Sequence, residues 1–402
     1  MLNRKRINAR KIITIKNICF FVAFISFLLV FTTIISGKIL EKKVAKSTVS
    51  FKSNDELKDL SMQQNDNNHS TNTSENLEDE VQAFNNTDTK TTNELTINFL
   101  GEVMMGGNVT NNLEYNYSSS IKDIYSTVRQ ADFTYCNFST NITNLEKIEN
   151  AKSKYLVTSN IFNALEALGI DAVSIASDHI VDYQSDVLKN TISLLEKNEI
   201  FVAGRKDMPV YFEKDNKKIA IISTNSVIIG TAKNYTSNDI SIYSKENLKK
   251  NIDEAKQSAD IVIVDFHWGR DHIYGLTDQM REYAKTAIDL GADMIIGSHA
   301  LGVYPIVKYK DKPIIYSLGY FMSDLDYTVA KKSFVFKLKI SAQNKISSLE
   351  MIPIYIENKK YVRLYSEYDS EECNNFLEQF NGWNVENGID SKVSDNKILV
   401  VF

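Results

Sequence analysis

The stretch DIVIVDFHWGRDH, residues 260–272, joins a buried strand to a cluster of ionisable side chains. Its first half is a run of apolar and β-branched residues that only Asp265 interrupts, which is typical of a strand covered on both faces. From His267 the run changes into two histidines, a tryptophan, a glycine, an arginine and an aspartate. This abrupt change predicts a functional site at the end of the strand, because loops at strand ends carry the binding groups of α/β proteins.

Strand and helix patterns alternate on both sides of this stretch. Apolar runs that predict buried strands lie at 95–100, 172–176, 200–203, 219–223, 261–266, 294–296 and 314–318. Amphipathic stretches that predict helices lie at 160–169, 185–198, 245–259 and 278–291. Near the end, 333–341 and 346–356 predict antiparallel strands with no helix between them. The alternation predicts an α/β fold (α+β near its end) with a covered sheet.

Four of the five histidines lie just past the ends of predicted strands. These are His179, His267, His272 and His299, and the same strand ends carry Glu102, Asn137, Asp178 and Asp271. Imidazole nitrogens and carboxylate oxygens that converge at one edge of a sheet suit a zinc, manganese or iron site. Any one of these histidines alone could be a structural residue hydrogen-bonded to the backbone. Their joint placement favours a shared metal cleft.

Composition excludes some classes of protein. The 402 residues carry a net charge of −5, and the sequence pI is about 5.7, so the chain lacks the basic balance of a nucleic-acid-binding protein. Three cysteines do not form a disulfide framework, and Cys19 lies in the N-terminal apolar run. We expect Cys136 and Cys373 to be unpaired, because a domain of this size buries enough surface without a disulfide. The sequence does not exclude a disulfide between Cys136 and Cys373.

The N-terminal part predicts a membrane anchor. Residues 1–16 are basic, and residues 17–37 contain no charge, which is long enough for the roughly 20 residues that cross a bilayer. The basic flank predicts a cytoplasmic N-terminus with the rest of the chain outside. A cleaved signal peptide is the alternative, but the run is longer than usual and no good cleavage site follows. Residues 38–93 are polar and predict a disordered linker, which leaves 94–402 as the folded domain.

Six segments carry a resemblance to a known family. They are FLGEVMMGGNV, DFTYCNFSTNIT, LGIDAVSIASDHIVDYQ, FVAGRKDMPV, IVIVDFHWGRDH and LGADMIIGSHALGVYPIVKYKDKPIIYSLGYF. Over about residues 95–324 the chain resembles the bacterial capsule synthesis proteins of CapA type, which are associated with poly-γ-glutamate. That family resembles calcineurin-like metallophosphoesterases. The resemblance implies a four-layer αββα sandwich with a metal cleft at the strand ends, extended by C-terminal strands and a helix over 331–402.

The resemblance also implies roles for individual residues. It makes His179 the acid histidine, and it implies four metal ligands: Glu102, Asp178, His267 and His299. Asn137, Arg205, Arg270, Asp271 and His272 would bind substrate, although the two arginines could equally be solvated surface residues. Ser139 stands where the family has an acidic ligand, and Leu301 replaces a histidine. We therefore expect one divalent metal (manganese, zinc, iron or magnesium) rather than two.

Three functions are compatible with these features. The first is a membrane-anchored, extracytoplasmic protein of capsule or poly-γ-glutamate synthesis or export. Its partners would be the membrane, membrane-bound polymer synthase and export subunits, and an anionic polymer or phosphoester ligand, with no nucleic acid. The second is a surface metal-dependent phosphoesterase, and the third is a binding module that has kept the fold without the chemistry. The sequence does not determine whether the protein is catalytically active.

Overall fold

A computed structural model describes residues 94–106, 109–110, 113–144, 155–205, 208–227, 239–270 and 273–402. Among these residues, no helix is long and apolar enough to cross a membrane. The anchor predicted at 17–37 and the linker predicted at 38–93 lie outside the described residues. So do two of the predicted substrate-binding residues, Asp271 and His272. The start of the folded domain at residue 94 stays a prediction.

Strands occur throughout the described part of the chain. They are β1 Leu95–Val103, β2 Phe133–Phe138, β3 Asn141–Thr143, β4 Leu156–Thr158, β5 Ala172–Ser174, β6 Phe201–Ala203, β7 Val210–Lys214, β8 Lys217–Asn225, β9 Ile261–Trp268, β10 Met294–His299, β11 Ile306–Tyr309, β12 Lys312–Ile315, β13 Tyr320–Met322, β14 Lys332–Ile340, β15 Ile346–Glu357, β16 Tyr361–Leu364, β17 Asp390–Ser394 and β18 Lys397–Val401.

The helices fall between the strands, as the amphipathic patterns predict. They are α1 Tyr125–Val128, α2 Ile161–Leu168, α3 Ser185–Lys197, α4 Lys245–Lys256, α5 Asp278–Asp289, α6 Thr328–Lys331, α7 Tyr365–Tyr368 and α8 Ser370–Glu386, with 3₁₀ turns at Tyr117–Ser120 and His179–Val181. Several of these helices begin with a polar N-cap residue. The side chain of Thr277 accepts a hydrogen bond from the backbone of Met280 at the start of α5, and Asp369 does the same for Glu372 in α8.

Two large sheets organise the domain. The first has the strand order β17-β18-β15-β14-β1-β2-β5-β6, with β13 added beside β1 and β16 beside β15. The second has the order β11-β12-β10-β9-β8-β7. In each, neighbouring strands that a helix connects run parallel, as β8 and β9 do, while β14, β15 and β18 pair antiparallel. The α/β prediction is confirmed, including the antiparallel strands near the end of the chain.

The core lies in three layers of apolar side chains. The middle layer contains Phe99 and Phe336 from the first sheet together with Ile263 and Ile296 from the second, so the two sheets pack face to face. One outer layer joins the first sheet to α2 and α3, and the other joins the second sheet to α4 and α5. The order is therefore helices, sheet, sheet, helices. Cys136 and Cys373 are both buried and free, which confirms the expectation of unpaired thiols.

The side chains between the sheets change from apolar to polar along the strands. On β9, Ile261 and Ile263 belong to the middle core layer, and alternation places Asp265 and His267 on the same face. On β8, Ile221 in the core is followed on that face by Ser223 and Asn225. The space between the sheets is therefore apolar at one end of the strands and polar at their carboxyl ends.

Candidate metal centre

Asp178, His267 and His299 form a compact cluster at the carboxyl ends of the strands. One possible ligand atom from each lies within 4.8 Å of the others. His267 is in β9, His299 ends the parallel neighbour β10, and Asp178 follows β5 of the opposite sheet. The cluster thus joins the two sheets at the edge where sites of α/β proteins form. These are three of the four metal ligands that the resemblance implies.

His267 and Asp178 make a hydrogen-bond arrangement that a single proton cannot satisfy. His267 Nε2 lies 3.0 Å from Asp178 Oδ1 and 3.4 Å from the backbone nitrogen of Asp178. One ring nitrogen cannot donate to the carboxylate and accept from the N–H at the same time. Burial by itself raises the pKa of Asp178, but the hydrogen bond with His267 and the charge of the neighbouring histidines hold it well below its usual range. Asp178 is therefore ionised at neutral pH.

His299 reaches the cluster through an unusual backbone conformation. Its φ is +75°, a region that side chains other than glycine enter at a cost of about 1–3 kcal/mol. Its Nδ1 lies 3.8 Å from Asp178 Oδ1, and its ring centroid lies 4.7 Å from that of His267. Strain of this kind persists where the surrounding structure holds it, and it is concentrated at functional sites.

Glu102 is buried beside the cluster and is held by Ser139. A bulge at Gly101 ends the regular part of β1, and a Cβ there would lie 2.6 Å from the carbonyl oxygen of Gly319, so only glycine fits. The Ser139 hydroxyl donates to Glu102 Oε1 and lies 3.2 Å from Asn137 Oδ1. Glu102 Oε2 is buried without a hydrogen-bond partner among the described residues. Glu102 is not part of the three-residue cluster that the described residues form.

His179 lies at the rim of the cluster. Its Nδ1 is 3.0 Å from Asp182 Oδ2, and its Nε2 is 3.7 Å from Asp178 Oδ2. Burial lowers the pKa of His179, but the hydrogen bond with Asp182 and the charges of Asp178 and Glu102 outweigh burial and raise it to about 9. The imidazole is therefore protonated at neutral pH, in the position where the resemblance implies an acid histidine.

Two buried tyrosines and an asparagine complete the lining, and sequence reasoning did not single them out as site residues. The ring of Tyr155 packs 4.3 Å from that of His179, and the Tyr320 hydroxyl lies 3.4 Å from the carbonyl of His299. Burial raises the pKa of both tyrosines, and Glu102 and Asp178 raise it further. Asn225 pairs with His267 across β8 and β9. Its position at the end of an apolar strand was the signal that could have revealed it.

The predicted substrate-binding residues differ in their surroundings. Asn137 is buried next to Ser139, inside the site. Arg205 forms an ion pair with Glu196 in α3. Arg270 is exposed directly after β9. Substrate binding by these residues stays a prediction. The ion pair of Arg205 with Glu196 is what the alternative, a surface arginine without a role in binding, would show.

Asp265, the one acidic residue within the β9 apolar run, links the two sheets beneath the cluster. Its Oδ2 accepts hydrogen bonds from the Tyr135 hydroxyl at 2.7 Å and from the Ser223 hydroxyl at 3.1 Å, and Ser174 lies 2.5 Å from Ser223. Burial raises the pKa of Asp265 to about 6, although these hydroxyls act against it. Trp268 is also buried, and its indole Nε1 donates to the carbonyl of Tyr316.

The residues present fit a divalent cation. Oε2 of Glu102 is buried without a hydrogen-bond partner among the described residues, which is costly for a polar group. A cation shared by Asp178 and His267 would also satisfy the conflicting contacts between them. Two imidazoles and a carboxylate suit zinc, manganese or iron. The donor set therefore matches a metal, and its identity is open.

The fold and the site define a class of protein: a two-sheet α/β protein with metal-ligand side chains at the carboxyl ends of its strands. Residues 96–325, more than half of the chain, match the family described as "Bacterial capsule synthesis protein PGA_cap". The chain belongs to this family.

Curated relatives and solved structures extend the comparison. The chain is 27% identical over 277 residues to the PGA biosynthesis protein CapA of Bacillus subtilis, covering 65% of this chain and 72% of the relative. It is 24% identical over 283 residues to the capsule biosynthesis protein CapA of Bacillus anthracis, covering 65% and 68%. Among solved structures, a 5'-nucleotidase precursor from Thermus thermophilus matches 71% of this chain and 60% of its own, at 11% identity and a TM-score of 0.42.

Proposed function

We propose that this protein is a membrane-anchored, extracytoplasmic component of capsule or poly-γ-glutamate synthesis or export that acts through a metal-binding cleft. The observation that carries the proposal is the cluster of Asp178, His267 and His299 inside a match to the capsule synthesis family over residues 96–325. The relatives named above are capsule and PGA biosynthesis proteins. The charge-free run at 17–37 supports the anchor, with membrane-bound synthase and export subunits as partners.

Asp178, His267 and His299 would hold the cation. A bound divalent cation supplies a Lewis acid that binds or polarises an anionic group. Glu102 lies beside it as a buried carboxylate whose second oxygen has no hydrogen-bond partner among the described residues. His179 contacts Asp178 at the rim, with a quarter of its side chain exposed to solvent, so it can reach a bound ligand.

Complementation tests this function. A strain that lacks the protein should regain its surface polymer with the wild type but not with His267→Ala, provided that both proteins reach the membrane in equal amounts. Lys189→Gln, a change on the exposed face of α3, serves as the control and should restore the polymer fully. Full rescue by His267→Ala would overturn the role of the cleft and leave a binding module on the same fold.

The metal cluster also favours a second candidate, a metal-dependent phosphoesterase. The full chain, purified in detergent, would be incubated with bis-p-nitrophenyl phosphate and Mn²⁺. Hydrolysis that His267→Ala abolishes would support this candidate. Absence of hydrolysis in a protein that restores the polymer would favour the capsule function without phosphoester chemistry. Ser139 stands where the family has an acidic ligand and donates its hydroxyl to Glu102, so this position supplies no carboxylate for a second metal.

A further inference from the structure

A groove of about 400 Å³ lies across the antiparallel strands of the first sheet, away from the metal centre. Its lining includes Lys339 of β14, Glu350 of β15, Lys392 of β17 and Leu399 of β18. Lys339 pairs with Thr96 at the start of β1, whereas Glu102 of the metal centre is near the end of that strand. At the rise of a β-strand the two sites are separated by about 20 Å along β1.

Lysines outnumber carboxylates in and around this groove. Lys337 and Lys339 alternate onto the same face of β14, and Lys337 is directly opposite Glu350 on β15. Glu350 is shared by two ammonium groups, Lys339 at 2.5 Å and Lys397 at 2.8 Å. Lys392 is exposed on β17, and Asp390 is the other acidic residue of the lining. Four lysines thus face two carboxylates.

Lys337 is the most buried of these lysines. Only 9% of it is exposed, and within the part of the chain that the structure describes no carboxylate lies within salt-bridge distance of its ammonium. Burial lowers the pKa of Lys337, and Lys339 and Lys397 lower it further, while Glu350 and Asp132 act in the opposite direction. A buried ammonium beside two others is unfavourable unless a further anion approaches it.

The apolar part of the lining favours a chain with methylene groups over inorganic phosphate. The cations themselves are lysines, which act as point charges and bind carboxylates and phosphates alike. Leu399 and Val401 add apolar surface on the same side, and Val401 is 54% exposed. An acidic polyamide presents carboxylates and methylene groups in alternation, which matches this mixture.

We propose that this groove binds an extended acidic polyamide chain, with its carboxylates on the lysine ammonium groups and its methylenes against Leu399 and Val401. The placement of the site stands on the groove's own charges, and the choice of a polyamide rests on the proposed function. The groove spans β14 to β17, which is about 14 Å at the usual strand spacing. About four residues of an extended chain cover that distance.

Binding of a labelled peptide tests the assignment. The probe is fluorescein-labelled octa-L-glutamate, titrated with the full chain in detergent and followed by fluorescence anisotropy at low and at high salt. Lys339→Gln/Lys392→Gln should weaken binding about tenfold, since each charged contact at a partly exposed site contributes modestly. The matched control Lys189→Gln/Lys285→Gln removes the same charge from exposed helix positions and should change binding less than about twofold.

Each outcome decides for or against the groove. Binding that weakens with salt and is lost selectively in the groove variant supports it. No binding by the wild type, an equal loss in the control variant, or equally tight competition by inorganic polyphosphate would overturn it. The groove variant should also bind Mn²⁺ with the wild-type stoichiometry, so failure here is distinguishable from failure of the metal centre.

Discussion

Asp178 is the residue on which the metal centre converges, because both histidines of the cluster approach the same carboxylate oxygen. His267 Nε2 and His299 Nδ1 lie 3.0 and 3.8 Å from Asp178 Oδ1. The strand-end pattern placed all three residues at the predicted site, and the family resemblance implied them as ligands. It did not predict that Ser139 would hold Glu102 through a hydrogen bond, because that contact joins different strands.

Metal binding should have a stoichiometry near one ion per chain, because three donors converge at one place. His267→Ala should lower the affinity for Mn²⁺ or Zn²⁺ by at least about 10–100-fold, the loss that even the removal of an outer-shell partner causes. The measurements are elemental analysis after dialysis and calorimetric titration. Lys189→Gln, on the exposed face of α3, is the control and should keep the ion. Two tightly held ions per chain, or no change in His267→Ala, would contradict the assignment.

Asp293 connects the elements of the second sheet at the end opposite the metal centre. Its carboxylate accepts hydrogen bonds from the backbone of Val262 in β9 at 3.0 Å, from Lys256 at the end of α4 at 2.9 Å and from Lys312 in β12 at 2.8 Å. Burial raises the pKa of Asp293, but these three donors outweigh burial and lower it. One residue thus joins two strands and a helix that are separated in the sequence.

Asp293→Asn should lower the free energy of unfolding at pH 7 by about 1–3 kcal/mol, the contribution of hydrogen bonds to a charged group. The folded pKa is below the unfolded one, so the stabilisation is present above the unfolded pKa and is lost as the pH falls through the folded value. The two proteins should therefore converge in acid. Urea unfolding at pH 7 and at pH 3 measures this.

An exposed aspartate provides the control for this change. Asp253 forms an i,i+4 ion pair with Lys249 on the surface of α4, where both side chains are about half exposed. Asp253→Asn should leave the stability nearly unchanged at both values of pH, because exposed ion pairs contribute little. A pH-independent loss in Asp293→Asn would show that packing, rather than the charge, stabilises this position.

At the scale of the whole molecule, the first sheet carries two different surfaces at its two ends. The carboxyl end of β1 leads to the metal centre, and its beginning lies beside the lysine groove. A cation held by Asp178, His267 and His299 and the proposed lysine groove would together offer an anionic chain two places of contact. Two linked contacts bind more tightly than either alone, provided that the chain spans both.

The membrane topology predicted from residues 1–37 can be tested on intact cells. Protease added to protoplasts should release a soluble fragment that contains the domain, because the polar linker at 38–93 would lie outside the membrane. Immunoblotting of the supernatant measures the release, and a cytoplasmic marker protein should stay intact. A domain that is protected until the cells are lysed would reverse the orientation.

The sequence by itself determined the alternation of strands and helices and the positions of the chemical groups at strand ends. These follow from local periodicity and, for the ligand set, from the family motifs. Only the tertiary structure decided which groups meet. It brought Tyr155 and Tyr320 to the metal centre, paired Arg205 with Glu196, and placed Lys339 of β14 and Lys397 of β18 on Glu350. Such contacts depend on sheet order and register between strands far apart in the chain, which a local pattern does not specify.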